Sequence, residues 1–296
     1  MREISLRTRA LGGLALAATS ALVLAGCASG STDGGSTDTA YKAADCAADS
    51  TSDNTFKVGT LLPITGSLAF LGPPEIAGVG LAVADINAAG GVNGTDACLY
   101  STDSGDSSDM SVSTASAEDL IKQKVSVVLG AASSSVSLNV VDSFTEAGIV
   151  EISPANTSAA LSGYSPFYFR TAPPDTVQGS ALGQLITGDG NSKVAFLVFN
   201  DSYGTGLRDS TEASIVEAGG SVVYGGTGKG QEFPPAQTTF SSEVTAALAT
   251  QPDALVVIAF DETKAIIPEL VAQGWDMSKT YFTDGNTGSF EKDFEA

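Results

Sequence analysis

The sequence predicts an α/β protein of two doubly wound parallel-sheet lobes joined by a hinge. Three observations carry this expectation. Strand-length apolar runs alternate with helix-length patterns from residue 56 to residue 283. Runs such as Ala254 to Phe260 are continuously apolar, which suits parallel strands covered on both faces. Two prolines, Pro173 and Pro174, interrupt the alternation near its middle. Alternating βα units build an open parallel sheet, and a chain of 296 residues accommodates two lobes of ~100–150 residues.

The first unit is the clearest. Val58 to Leu62 is an apolar run of strand length, and Pro63 to Pro74 is a Pro/Gly/Ser loop. Ile76, Val79, Val83 and Ile86 then make one apolar helical stripe. Pro73 and Pro74 suit the entry of that helix, where a missing N–H costs little. Gly90-Gly91 stops it, and Asn93-Gly94 turns the chain. By the same criteria strands are expected at 56–62, 97–102, 125–130, 148–152, 194–199, 220–224, 254–259 and 280–283. Helices are expected at 74–89, 112–124, 135–147, 176–187, 204–218, 236–249 and 262–273. Ligands bind at the carboxyl ends of strands in such sheets, so the loops after the strands are where function is expected.

Composition excludes several classes. With 34 acidic against 14 basic residues the formal charge is −20. That opposes nucleic-acid binding, which needs Lys/Arg to neutralise phosphates, and opposes electrostatic docking on anionic lipid. The chain has no histidine, which removes Ser-His-Asp and Cys-His catalysis and the usual zinc sites. Gly225 to Gly230 contains a lysine but lacks the spacing of a P-loop and reads as a surface loop. Asp103, Asp106 and Asp109 do not fit a calcium loop and read as helix-capping and solvated residues. No enzyme activity, cofactor or metal is expected.

The motif Pro63-x-Thr65-Gly66, the helix ending Asp85-Ile86-Asn87, and Ala89-Gly90-Gly91-Val92-Asn93-Gly94 together resemble the first βα unit of the periplasmic leucine/isoleucine/valine-binding proteins of ABC importers. The resemblance implies the type 1 periplasmic-binding-protein architecture and a small-molecule ligand held between the lobes. It continues in order along the chain, with Ile152-Ser153-Pro154-Ala155-x-Thr157, Phe169-Arg170-Thr171 and Asp201-Ser202-Tyr203-Gly204.

Both ends carry further expectations. Arg2, Arg7 and Arg9 precede an uncharged apolar run from Leu11 to Gly26, too short to span a bilayer as a mature helix. Leu24-Ala25-Gly26-Cys27 resembles the bacterial lipobox, so residues 1–26 read as a lipoprotein signal peptide with lipid attached at Cys27. The competing reading is an ordinary signal peptide with an incidental cysteine. Residues 27–54, rich in Ser, Gly, Thr and Asp, read as a flexible tether. Cys46 lies shortly before the first strand and Cys98 opens the second, and neighbouring parallel strands bring their amino ends together. A Cys46–Cys98 disulfide is therefore expected, against the alternative of two buried thiols. The lobes are assigned to 55–174 and 175–284, with 285–296 beginning a return to the first lobe. In the resembled fold the chain runs on, so the sequence reads either as C-terminally truncated or as having a degenerate last lobe; truncation predicts a first lobe that exposes apolar surface.

The loop Gly130 to Ser135 follows a strand and opens a helix, where free N–H groups and serine hydroxyls can hold a carboxylate. By resemblance Ser134 contacts the ligand carboxylate; helix capping by Ser133 or Ser134 is the alternative. Ala155 and Thr157 offer backbone groups and a hydroxyl to the α-groups of an amino acid, and Phe70 and Leu71 touch its side chain. From the second lobe Tyr203 closes over the ligand, and Asp261 or Glu262 meets its ammonium, unless Asp261 caps the following helix. Arg170 reads as structural. The function implied is a lipid-anchored, extracytoplasmic solute-binding protein of an ABC importer, with a membrane permease as partner and membrane contact only through the anchor. The alternatives are the sensing domain of a surface receptor and a surface lipoprotein enzyme. Members of the resembled family also take amides, urea and aromatic acids, so the ligand itself stays open.

Overall fold

A computed structural model describes residues 45–46 and 55–288; the signal-peptide and lipobox expectations at 1–27 lie outside these. The first sheet contains β1 (Lys57–Leu62), β2 (Cys98–Asp103), β3 (Val127–Gly130), β4 (Val150–Ser153) and β5 (Tyr168–Arg170), all parallel in the order β2-β1-β3-β4-β5. The second contains β6 (Lys193–Val198), β7 (Ser221–Tyr224), β8 (Ala254–Ile258) and β9 (Thr280–Phe282), parallel in the order β7-β6-β8-β9. In each sheet the first strand in sequence sits between its second and third, so chain direction reverses there and a crevice opens at the carboxyl ends.

Helices α1 (Gly72–Ala88), α2 (Met110–Lys122) and α3 (Ser134–Ala147) cover the first sheet, and α4 (Asp175–Gly188), α5 (Ser202–Glu217), α6 (Ser241–Ala249) and α7 (Thr263–Ala272) the second. The strand alternation explains the layering. Leu61 and Val128 point to one face and pack with Leu120, Val136, Val140 and Phe144 of α2 and α3. Val58 points to the other and packs with Val83 of α1, with Val127 and Leu129 alongside. The second sheet is apolar on both faces; Phe196, Leu197, Val256 and Val257 are fully buried between α4, α5, α6 and α7. Segment 171–174 links the sheets.

Three local differences from expectation have physical causes. The expected helix at 236–249 begins only at Ser241. Upstream, Phe233 runs beside β6, its N–H donating to Val198 and its carbonyl accepting from Asn200, and Pro234-Pro235 with a left-handed Ala236 (φ 63°) makes a turn that keeps this stretch out of the helix. Strand β5 is only three residues long, too short for a periodic signal. Of the three aspartates read as capping or solvated, Asp109 does cap α2. Asp103 and Asp106 instead clamp the β1–α1 loop. Asp103 accepts from the N–H groups of Ile64 and Thr65 and from the Thr65 hydroxyl, and Asp106 accepts from Ser67 N.

The Cys46–Cys98 disulfide is present, with a Cα–Cα distance of 4.8 Å. Asp45 bridges Leu99 and Cys46 N donates to Leu99 O, so the incoming chain is pinned along the outer edge of β2. Closing a loop of 52 residues contributes about 4 kcal/mol in chain-entropy terms.

Candidate functional site

The loops that follow the strands of both sheets converge on one cavity of about 230 Å³. From the first sheet come Leu68, Phe70 and Leu71 after β1, Ala132 and Ser134 after β3, and Ala155 and Thr157 after β4. From the second come Tyr203 at the start of α5, Phe260 after β8, and Asp284 and Gly285 after β9. Ala172, in the linker, completes the lining.

The first-sheet wall is built from small polar residues that hold one another. Ser133 caps α3, its hydroxyl accepting from Val136 N at 3.4 Å. Ser134 Oγ accepts from Ser158 N at 3.2 Å and Thr157 N at 3.4 Å, so its own O–H stays free to donate. Asn156, fully buried, locks the two loops together. It donates to Ala132 O at 2.7 Å and accepts from Tyr168 Oη at 2.9 Å. Ser153 Oγ donates to Ala131 O at 2.6 Å and accepts from Asn156 N. Glu151 sits beneath, accepting from Ser137 Oγ at 2.7 Å; burial pushes its carboxyl up to about 7. With the first-turn N–H groups of α3 and its positive dipole end, this wall offers hydrogen-bond donors.

The second-sheet wall offers an acceptor. Tyr203 stacks on Phe260, with ring centroids 5.0 Å apart and planes 21° apart. Its hydroxyl lies 2.9 Å from Thr283 Oγ1, donates to Asp284 Oδ1 at 2.7 Å and accepts from Gly285 N at 3.0 Å. Burial and the Asp284 charge hold this phenol far above its ordinary range, so it is always a donor. Gln178 of α4, with its amide set to satisfy both groups, donates to Asp284 Oδ1 at 2.8 Å and accepts from Asp284 N at 2.9 Å. Oδ1 is therefore held by two donors, Tyr203 and Gln178. Gly285 is required here: a Cβ would stand 2.7 Å from Tyr203 Oη and 2.8 Å from Ala259 O.

The structure brings together Phe70, Leu71, Ser134, Ala155, Thr157 and Tyr203 of the expected residues. It places Asp261 and Glu262 elsewhere. They line a separate cavity of about 410 Å³, beside Gly66, Ser67 and Thr238. Asp261 pairs with Lys264 at 2.6 Å. Glu262 turns back to accept from Phe260 N at 3.1 Å and is buried, which pushes its carboxyl up. Both side chains are engaged close to their own segment, and neither lines the 230 Å³ cavity. The acid that does line it, Asp284, follows the expected strand 280–283 directly. The rule that ligands meet the carboxyl ends of strands was the signal for it.

A larger space, about 590 Å³, lies between α1 and the first sheet, lined by Val58, Val79, Val83, Ile86, Val127, Leu129 and Ile152 with Glu75 as its acid. It lacks convergent polar groups, which orient small ligands. The smaller cavity has them. Among the described residues no group of three or more His, Cys, Asp or Glu is placed to hold a metal ion, and no helix is long and apolar enough to cross a membrane.

Known proteins resemble this chain in sequence and fold. Leu/Ile/Val-binding protein homolog 2 of Brucella abortus is 34% identical over 164 residues, which cover 55% of this chain and 44% of that protein. The branched-chain amino acid transporter substrate binding protein LivJ of Streptococcus pneumoniae, solved in complex with isoleucine, is 28% identical with a TM-score of 0.67, covering 78% of this chain and 64% of that one. A solute binding protein from R. palustris, solved with 4-hydroxybenzoate, shares the fold at 20% identity and a TM-score of 0.68, covering 77% and 61%. The chain thus spans about half the length of the curated relatives it matches, and rather more of the solved ones. The sequence model of the periplasmic binding protein family matches residues 55–293, and with two parallel sheets enclosing a polar-walled cavity, the chain belongs to that family.

Proposed function

We propose that this chain binds a small zwitterion, an amino acid of the branched-chain type, between its two sheets, and serves an ABC importer from an extracytoplasmic position. The observation that carries the reading is the pairing inside one cavity of a donor wall at Ser134 and Thr157 with the Asp284 carboxylate from the other sheet. A zwitterion needs both. Its carboxylate takes the hydroxyls and the α3 amino terminus, its ammonium takes Asp284 Oδ2, and Phe70, Leu71, Phe260 and the Tyr203 ring enclose an aliphatic side chain. The volume suits such a ligand, lying below the ~300–1,000 Å³ of sites for drug-sized molecules. An aromatic acid such as the R. palustris protein holds would leave Asp284 without a cation. The names of the relatives support the same choice.

Calorimetric titration with leucine, isoleucine and valine tests this. Asp284→Asn should weaken binding by about 1.5–3 kcal/mol, the range for a hydrogen bond to a charged group. Ser134→Ala should cost about 1 kcal/mol, and Asp261→Asn and Glu262→Gln should change affinity little. Wild-type affinity in Asp284→Asn would place the ammonium elsewhere. Lipid attachment at Cys27 and delivery to a membrane permease complete the proposal. Cys27→Ala should move the protein out of the bacterial membrane fraction, and unchanged membrane association would remove the anchor from this reading.

A further inference from the structure

Asp175 opens α4 directly after the linker between the sheets, and its side chain is fully buried. Neither carboxylate oxygen has a hydrogen-bond partner among the described residues. An anion in that position is costly. The groups that face it come from every neighbouring element. Arg170 of β5 favours the anion; Asp284 of the 284–286 turn and Asp201 at the start of α5 oppose it. Arg170 is engaged by Ser158 O at 2.8 Å and Ser162 Oγ at 2.6 Å, so its charge is shared. The Thr157 hydroxyl eases the charge from outside hydrogen-bond geometry. Burial is the largest influence, and together these push the carboxyl up to about 7. Geometry ties Asp175 to the cavity: its N–H donates to Thr157 O at 2.7 Å, and Gln178, one turn further along α4, pairs with Asp284, while Thr157 and Asp284 both line the cavity.

Resting on the reading of that cavity as a zwitterion site, we propose that Asp175 is its proton switch, protonated while Asp284 bears an unmatched charge and deprotonated when a ligand ammonium settles on Asp284. One O–H bond breaks and the proton passes to solvent; nothing else changes covalently. The ammonium cancels the Asp284 repulsion, and the new Asp175 anion then stands behind Asp284 as a second negative charge. Capture of an amine is thereby linked to proton release, and the site discriminates for cationic head groups more steeply as pH rises from 6 to 8.

The experiment is calorimetric titration of the protein with leucine at pH 7 in buffers of differing ionisation enthalpy. The expected result is release of on the order of half a proton per leucine, as for a group near its midpoint, and an affinity that rises about 3–10-fold between pH 6 and pH 8. Asp175→Asn should release none and show a flat affinity. Leucine bound without proton release, or with equal release in Asp175→Asn, overturns the switch and leaves the site reading standing. Absence of leucine binding fails the site reading itself, and the switch falls with it. Should Asp175→Asn not fold, the wild-type profile decides: release that peaks near pH 7 and fades toward pH 5 and pH 8.5 is expected, and a flat profile overturns the proposal.

Discussion

Tyr203 shows how a side chain's role depends on what its polar end is already doing. Its hydroxyl is fully engaged by Thr283, Asp284 and Gly285, so it presents a ring to the cavity and a hydrogen bond to Asp284. It is a positioning residue for that carboxylate. Tyr203→Phe keeps the stack on Phe260 and removes the donor. Amino-acid binding should weaken by about 1–2 kcal/mol with Tm lowered only slightly, measured by calorimetry and thermal melting. A variant with full affinity would show that Gln178 alone suffices to orient Asp284. Glu262 is the opposite case. As an acid after a buried strand it was a reasonable partner for an ammonium, yet its charge is spent on the backbone of its own turn.

At the scale of elements, α4 and α5 approach through small residues. A Cβ on Gly183 would stand 2.5 Å from Ser214 Cβ, and one on Gly179 2.5 Å from Ser210 Cβ. The contact matters to the site because α4 carries Asp175 and Gln178 while α5 carries Tyr203. In a free helix Gly→Ala gains about 1 kcal/mol. Here overpacking, costing about 1–3 kcal/mol, outweighs that gain. Gly183→Ala should therefore lower stability in denaturant unfolding, whereas Gly188→Ala, with nothing within 4 Å, should be neutral or slightly stabilising. Equal effects from both would mean that the helices separate without cost. The β1–α1 loop follows the same logic of local holding. Its Thr65 is fixed by Asp103 from the neighbouring strand, and this brings Leu68, Phe70 and Leu71 against the core of the second sheet.

For the whole molecule, burial of carboxylates sets the pH dependence. Burial pushes Glu75, Glu151 and Asp175 up to about 7 and Asp201 to about 6, against about 4 when unfolded. Acids held below their ordinary range, such as Asp103, Asp253 and Asp276, act the other way but only at lower pH; above about pH 5 the folded state binds more protons than the unfolded one, so stability falls as pH rises toward about 7. The formal charge of −20 acts in the same direction, since protonation relieves self-repulsion. Tm should be higher at pH 5.5 than at pH 8.0. A higher Tm at pH 8.0 would mean that these four acids ionise in the folded protein as they do in the unfolded chain.

What the sequence determined by itself was whatever depends on neighbours along the chain. Apolar runs and stripes set the strands and helices, Gly90-Gly91 and Pro73-Pro74 set the limits of α1, and strand order placed Cys98 beside the segment holding Cys46. Ser134, Ala155 and Thr157, named from the family resemblance of the loops that carry them, do line one cavity. Tertiary structure decided the rest. Whether an acid after a strand faces the crevice or folds back depends on the turn it makes, and that turn is fixed by distant partners. Tyr203 and Gln178 hold Asp284 at the cavity, while a backbone N–H draws Glu262 away. The buried position of Asp175 likewise arises only when the linker, α5 and the turn after β9 meet. Charge and pKa are properties of that meeting, and no local pattern in the chain encodes them.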